Sequence, residues 1–192
     1  YEIGRFGSKE DRRADEILGR PLSSYIFVEG DEEAIAQAEL KLRHTDITQP
    51  ALLAVHVSIL RVLGKFGYKP DMVIGHSLGE YAALVAAGVL TLQEALQVVS
   101  ARGQEMTKVT AEDNGCMAAV SAPLAEVERI LKSINGYVVI ANINSPVQCV
   151  IGGATNAVDA AITACLAEGL QAAKIPVSHA FHTKIVAPAS GP

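Results

Sequence analysis

Cysteine, clustered basic charge and unbroken apolar runs are all scarce in this chain, and each shortage removes a class of function. Only three cysteines occur, Cys116, Cys149 and Cys165, each inside an apolar run and without metal-ligand spacing. Neither a disulfide framework nor a thiolate metal centre is expected; reduced core thiols in a cytoplasmic protein are. Lysine and arginine are scattered and the formal net charge is −5, which argues against nucleic acid as a partner. The longest apolar runs are interrupted by His56 and Ser58 or by Gly88, too short to span a membrane. No signal-peptide pattern opens the chain, and Tyr1-Glu2-Ile3-Gly4 reads as the interior of something longer. Internal repeats and low-complexity segments are missing too. What is there is 192 residues, 49% hydrophobic and 19% charged, enough for one packed domain or a domain carrying an insert.

The most informative stretch is Pro70-Asp71-Met72-Val73-Ile74-Gly75-His76-Ser77-Leu78-Gly79-Glu80-Tyr81. Met72 to Ile74 reads as a buried strand, and the Ala/Leu-rich segment Leu78 to Ala87 as a helix buried on most sides. Strand, Gly-x-Ser-x-Gly, helix is the pattern of a nucleophile elbow. The turn leaves little room for side chains two residues either side of the serine, hence Gly75 and Gly79. Ser77 is then presented from a strained turn, with the N–H groups of the next helix aimed at whatever it attacks. A hydroxyl is a poor nucleophile at neutral pH and needs an imidazole to take its proton. His76 is adjacent, but side chains on either side of a sharp elbow diverge. His179 and His182 are better candidates, because in serine acyl-transfer sites the histidine comes last in the chain. They could share a metal, but no third ligand type clusters with them.

Elsewhere the chain reads as helices followed by a mixed unit. Glu10 to Leu18 and Glu32 to Leu42 are expected helices, and Ser24 to Val28 a short extended piece. Thr48 is read as the N-cap of a helix with Pro50 in its first turn, an apolar face of Leu52, Leu53, Val55, Ile59, Leu60 and Leu63, and Gly67 at its end. His56, within it, is read as a hydrogen-bonded core or boundary residue. Thr91-Leu92-Gln93-Glu94 is a capping box. At about 100° per residue, the helix it opens has a wet stripe of Gln93, Gln97, Ser100, Gln104 and Lys108. Leu92, Ala95, Val99, Gly103 and Met106 form the dry stripe, and Arg102 falls on that side. A guanidinium there calls for an anionic partner, either a bound ligand or a structural carboxylate. From Gly115 onward the order is β-α-β-β-α-β, with strands at 116–120, 137–142, 147–151 and 170–175 and helices at 123–132 and 155–168. That is the order of a ferredoxin-like unit.

Gly75-His76-Ser77-Leu78-Gly79-Glu80, Arg102 on the second helix after it, and His179-Ala180-Phe181-His182 together resemble the malonyl-CoA:acyl-carrier-protein transacylase family, and above all the acyltransferase domains of polyketide synthases. Thr48-Gln49-Pro50-Ala51-Leu52 and the hairpin Asn142 to Gly152 resemble further parts of it, and the likeness runs from about Ala14 to Ala189. The fold it implies is α/β: an α/β-hydrolase-like parallel-sheet core with an inserted ferredoxin-like βαββαβ subdomain. Residues 1–113 would form the large subdomain, 114–176 the small one, and 177–192 the return to the large one. Ser77 would carry the acyl group as an ester, and His182 would be general base and then general acid. Arg102 would hold the malonyl carboxylate through a bidentate pair, and the Leu78 N–H would donate to the oxyanion. His76 would line the pocket, and His179 and Phe181 the wall around the malonyl α-carbon. In this family His-Ala-Phe-His goes with malonyl, Tyr-Ala-Ser-His with methylmalonyl. The implied partners are malonyl-CoA, an acyl carrier protein and neighbouring synthase domains, with no membrane, metal or prosthetic group.

The family also implies a glycine- and glutamine-rich loop after its first strand, which completes the oxyanion hole, and a tail that orients the histidine. Neither is expected within these residues, so the chain is expected to be a fragment; loss of one oxyanion donor costs about 10²–10³ in rate, which would leave it nearly inactive alone. Two other readings remain at the level of sequence. A serine hydrolase would share the elbow but has no use for Arg102, and a scaffold remnant of a synthase would never acquire an acyl group on Ser77.

Overall fold

The computed structural model describes residues 14–109 and 112–191. The chain is α/β in class and divides into two compact units, Tyr1–Thr107 and Lys108–Pro192. Of the helix expected over Glu10 to Leu18, residues 14–18 are helical, and 10–13 lie outside the described residues, as does the opening tetrapeptide.

The first unit contains α1 (Leu22–Ile26), α2 (Glu32–Leu42), α3 (Thr45–Lys65), α4 (Gly79–Ala86) and α5 (Leu92–Lys108). Leu22, Leu53, Val57, Leu96 and Val99 form its dry centre. The capping box is as read: the Glu94 carboxylate accepts from the Thr91 N–H at 2.8 Å, and the Thr91 hydroxyl accepts from the Glu94 N–H at 3.2 Å. Gly67 ends α3 in a Schellman motif, its own N–H bonding the Gly64 carbonyl and that of Tyr68 bonding the Leu63 carbonyl.

Several expectations are corrected. α3 begins at Thr45, three residues before the expected cap, and the Thr48 hydroxyl donates back to the carbonyls of Leu42 and His44. Pro50 therefore sits inside the helix and cannot donate to the Asp46 carbonyl. Arg20 supplies that donor. Its Nη2 reaches the Asp46 carbonyl at 2.8 Å and the Ser100 hydroxyl at 2.9 Å, while Nη1 meets the Asp46 carboxylate at 3.0 Å. This is why Ser100, expected on the wet stripe, is buried. At 21 residues α3 is also long and apolar enough to cross a membrane by length and composition, despite its broken runs, although Thr45, Gln49 and its Ala51, Leu53, Ala54 and Val57 face the interior.

Met72 to Ile74 form no strand. A strand exists only where a neighbour takes up its backbone groups, and among the described residues every regular element of this unit is a helix. Met72 and Ile74 are 91% and 97% exposed. For the same reason α4 has no fully buried residue: Tyr81, Ala82 and Val85 pack on the core and Leu84 faces outward.

The second unit follows its sequence pattern closely. It contains β1 (Cys116–Ser121), α6 (Leu124–Leu131), β2 (Val138–Ser145), β3 (Gln148–Gly153), α7 (Thr155–Ala167) and β4 (Gln171–Ile175). The strands lie in the order β2-β3-β1-β4, every neighbouring pair antiparallel, as in a ferredoxin-like unit. Ala118 and Val120 of β1 and Ile151 of β3 face α6 and α7, while Met117 and Val150 face Ala180, Phe181 and Ile185 on the other side. Cys149 and Cys165 are buried free thiols whose pKa burial pushes up. β2 runs three residues further than expected, so that only residues 146 and 147 form the turn, and its register slips between Ile140 and Asn142 and between Ile143 and Ser145.

Two predictions follow from the packing. A Cβ on Gly103 would lie 2.8 Å from the Asp46 Cα and from the Thr45 carbonyl oxygen, whereas one on Gly64 would meet nothing within 4 Å. Gly103→Ala is expected to destabilise by about 1–3 kcal/mol and Gly64→Ala to stabilise by about 0.4–1 kcal/mol; thermal unfolding of both variants checks the opposite signs. Asp113 caps α7 from outside, accepting from the Thr155 N–H at 2.7 Å and the Thr155 hydroxyl at 2.6 Å, and from the Gly115 N–H at 2.8 Å. These donors, the Thr155 hydroxyl first, hold its carboxyl below the usual range. Its contribution is present above the ordinary carboxylate pKa of about 4 and is lost as pH falls through the lower native value. Denaturation midpoints measured down the acid range should fall less steeply in Asp113→Asn than in the parent.

Candidate active site

The sharp turn expected at Ser77 is present and a helix follows it, but no strand leads into it and only one of its two glycines is sterically required. Ser77 has φ 54°, a left-handed conformation that L side chains adopt at a cost of about 1–2 kcal/mol. Gly75 makes it possible: a Cβ there would lie 2.3 Å from the Gly79 carbonyl group and from the Glu80 nitrogen. Gly79 has open space where a Cβ would go, so in this chain only the first glycine is sterically demanded. The next N–H groups turn inward, Gly79 to the His76 carbonyl at 2.9 Å, Glu80 to Ser77 at 3.1 Å and Tyr81 to Leu78 at 3.1 Å. Among the described residues nothing takes the Leu78 N–H, the donor expected to face an oxyanion. His76 is exposed and lines an open groove of about 370 Å³ together with His56, Leu60, Ile74, Gly75 and Ala83.

Arg102 is half-buried in the same unit. Its partner is not a carboxylate. Nη1 donates to the Gln49 side-chain oxygen at 2.7 Å, and the Gln49 amide nitrogen donates to the Met106 sulfur at 3.3 Å. The α3–α5 contact at Gly103 brings these residues together. A neutral acceptor orients a guanidinium without cancelling its charge, so Arg102 can still receive an anion. The sequence reading assigns Gln49 no role of its own. A physical signal was nevertheless present, since it lies four residues before Leu53 and eight before Val57 on the buried face of α3 and is itself 5% exposed. A buried amide among aliphatic residues needs a polar partner.

His179, Phe181 and His182 lie in the second unit. His179 is buried, with Nε2 3.3 Å from the Val109 carbonyl and Nδ1 3.0 Å from the Ser178 hydroxyl. A carbonyl only accepts, so Nε2 carries the proton and Nδ1 takes the hydroxyl hydrogen. The Nδ1 lone pair of His179 is then engaged by the Ser178 hydroxyl. Its ring is tilted 46° against Phe181, with centroids 6.1 Å apart, and Phe181 packs with Met117 and Val150. His182 is exposed, and its φ of 58° is again left-handed. The turn around it is seated by Thr183, whose hydroxyl donates to the Ala180 carbonyl at 2.6 Å and accepts from the Ile185 N–H at 3.2 Å.

Comparison with known proteins gives the family. A family profile described as acyl transferase domain matches residues 31–191. A mycoketide-CoA synthase of Mycobacterium tuberculosis is 41% identical over 174 residues, covering 91% of this chain and 4% of that protein. A malonyl CoA-acyl carrier protein transacylase of Bacillus subtilis is 38% identical over 182 residues, covering 92% of this chain and 55% of that one. Among solved structures, MCAT from Streptococcus pneumoniae superposes with a TM-score of 0.78 at 39% identity, over 99% of this chain and 61% of its own. A malonyl-transacylase in complex with its type II PKS acyl-carrier protein superposes with a TM-score of 0.84 at 34% identity, over 97% of this chain and 59% of its own. The chain thus spans little more than half the length of these transacylases and a small part of the synthase. It belongs to the acyl transferase domain family.

Proposed function

We propose that this chain carries the nucleophile, base and carboxylate anchor of an acyltransferase that moves a malonyl group from CoA to an acyl carrier protein. The observation that carries this reading is backbone strain. Among the described residues, Ser77 and His182 are the non-glycine residues with positive φ, and strain held in place by its surroundings clusters at functional sites. They are also the two residues the motif reading makes nucleophile and base.

In this reading Ser77 Oγ attacks the thioester carbonyl, its proton passes to His182, and the oxyanion is met by the Leu78 N–H. CoA leaves as a thiol, taking that proton. The phosphopantetheine thiol of the carrier then attacks the malonyl ester, and the Ser77 hydroxyl is restored. Arg102, aimed by Gln49, holds the free carboxylate throughout. His76 lines the approach, and His179 and Phe181 shape the wall beside the malonyl α-carbon. No metal or prosthetic group is called for. The relatives that are transacylases and synthases support CoA thioesters, a carrier protein and neighbouring synthase domains as partners; the cytoplasm as the setting is part of the proposal. We propose further that residues 1–113 and 177–192 belong to a larger subdomain with an α/β-hydrolase-like parallel-sheet core and 114–176 to a smaller, ferredoxin-like one.

The test is substrate discrimination. Arg102→Ala should lower malonyl transfer about 10–100-fold while leaving acetyl transfer nearly unchanged, because only malonyl loses a charge-assisted pair. Gln49→Glu should act in the same selective direction by setting a carboxylate against the guanidinium. Equal losses on both substrates would make Arg102 structural, and rapid release of free malonate without a carrier would make the protein a hydrolase.

A further inference from the structure

Tyr137 follows the Asn135-Gly136 turn and leads into β2, and the proposed chemistry leaves it without a role. Its backbone is fixed: the Tyr137 carbonyl accepts the Ala154 N–H at 2.8 Å, and a Cβ on Gly153 would lie 2.1 Å from that same oxygen. From this anchored position its side chain reaches a segment 47 residues along the chain. The phenol oxygen accepts the Lys184 backbone N–H at 3.0 Å, and the Lys184 ammonium lies 4.0 Å from the ring centroid. Lys184 is two residues after His182. On the near side, Thr183 seats the turn on the sheet, where a Cβ on Gly152 would come within 3.0 Å of the Thr183 methyl carbon. The left-handed turn is thus gripped at Thr183 from the sheet and at Lys184 from Tyr137.

We infer that Tyr137 is a positioning residue for His182, its phenol oxygen and ring clamping Lys184 so that the strained turn keeps the imidazole in its working orientation. This rests on the reading of His182 as the base. It does not require Tyr137 to touch substrate. The ring supplies a weak attraction to an exposed cation; the oxygen supplies the directional restraint, because it fixes one backbone N–H at one point.

The experiment compares Tyr137→Phe, which keeps the ring and removes only the acceptor, with Lys184→Met, which removes the ammonium and keeps the N–H. Hydrogen exchange at the Lys184 amide, melting temperature and malonyl-transfer kinetics are measured on the whole chain. Tyr137→Phe should speed Lys184 exchange about tenfold and lower kcat about tenfold, with KM for malonyl-CoA unchanged and the melting temperature within about 2 °C. Lys184→Met should change both by no more than about threefold. Parental exchange and kcat in Tyr137→Phe would overturn the inference, as would a raised KM at constant kcat. If the parent chain transfers no malonyl at all, the reading of the function fails separately, and Lys184 exchange alone then decides whether Tyr137 holds the turn: tenfold loss of protection upholds the clamp, and none overturns it.

Discussion

Left-handed backbone at Ser77 and His182 is the constraint around which the surrounding structure is arranged. Each such residue costs about 1–2 kcal/mol, comparable to a whole hydrogen bond, so it persists only where neighbours leave no alternative. At Ser77 the alternative is removed by the approach of the Gly75 backbone to Gly79 and Glu80, and by the three successive N–H bonds that open α4. At His182 it is removed by the Thr183 hydroxyl, the seat on Gly152 and the phenol of Tyr137. One site is held by a helix start and the other by a sheet face. In both cases rigid elements, not loop length, fix the left-handed residue.

The second organising feature is the polar layer between α3 and α5. Pro50 strips one carbonyl of its helical donor, and Arg20 replaces it while also engaging Ser100 and the Asp46 carboxylate. One turn further on, Gln49 meets Arg102. The two arginines are treated differently: Arg20 is neutralised by a carboxylate, whereas Arg102 is oriented by an amide. Opposite charge would have stabilised the second one equally well as structure. A neutral partner keeps its positive charge available, as the proposed role of Arg102 in holding a malonyl carboxylate requires.

How much of this was legible follows from how local each signal is. The Thr91–Glu94 box and the glycine at the end of α3 are complete within a few residues and were read correctly. So was the βαββαβ unit, whose periodicity of two and 3.6 residues is strong and whose four strands all find their partners within residues 116–175. The strand at Met72 to Ile74 failed because pairing is non-local: its apolar run marks an extended segment that asks for neighbours, and the described residues of that unit supply only helices. Ser100 and the start of α3 were misjudged because a single guanidinium 80 residues away from one and 26 from the other takes up their polar groups. Arg102 was correctly singled out as a cation on a dry face, but the identity of its partner depended on where α5 crosses α3, which only Gly103 hinted at.

The most direct measurement is peptide-resolved mass spectrometry after brief exposure of the protein to malonyl-CoA without carrier. Expected is a malonyl ester confined to the peptide bearing Ser77, absent in Ser77→Ala and formed far more slowly in His182→Ala. A parent protein that never gains the increment, or an increment that survives in Ser77→Ala, would contradict the assignment of the strained serine as nucleophile.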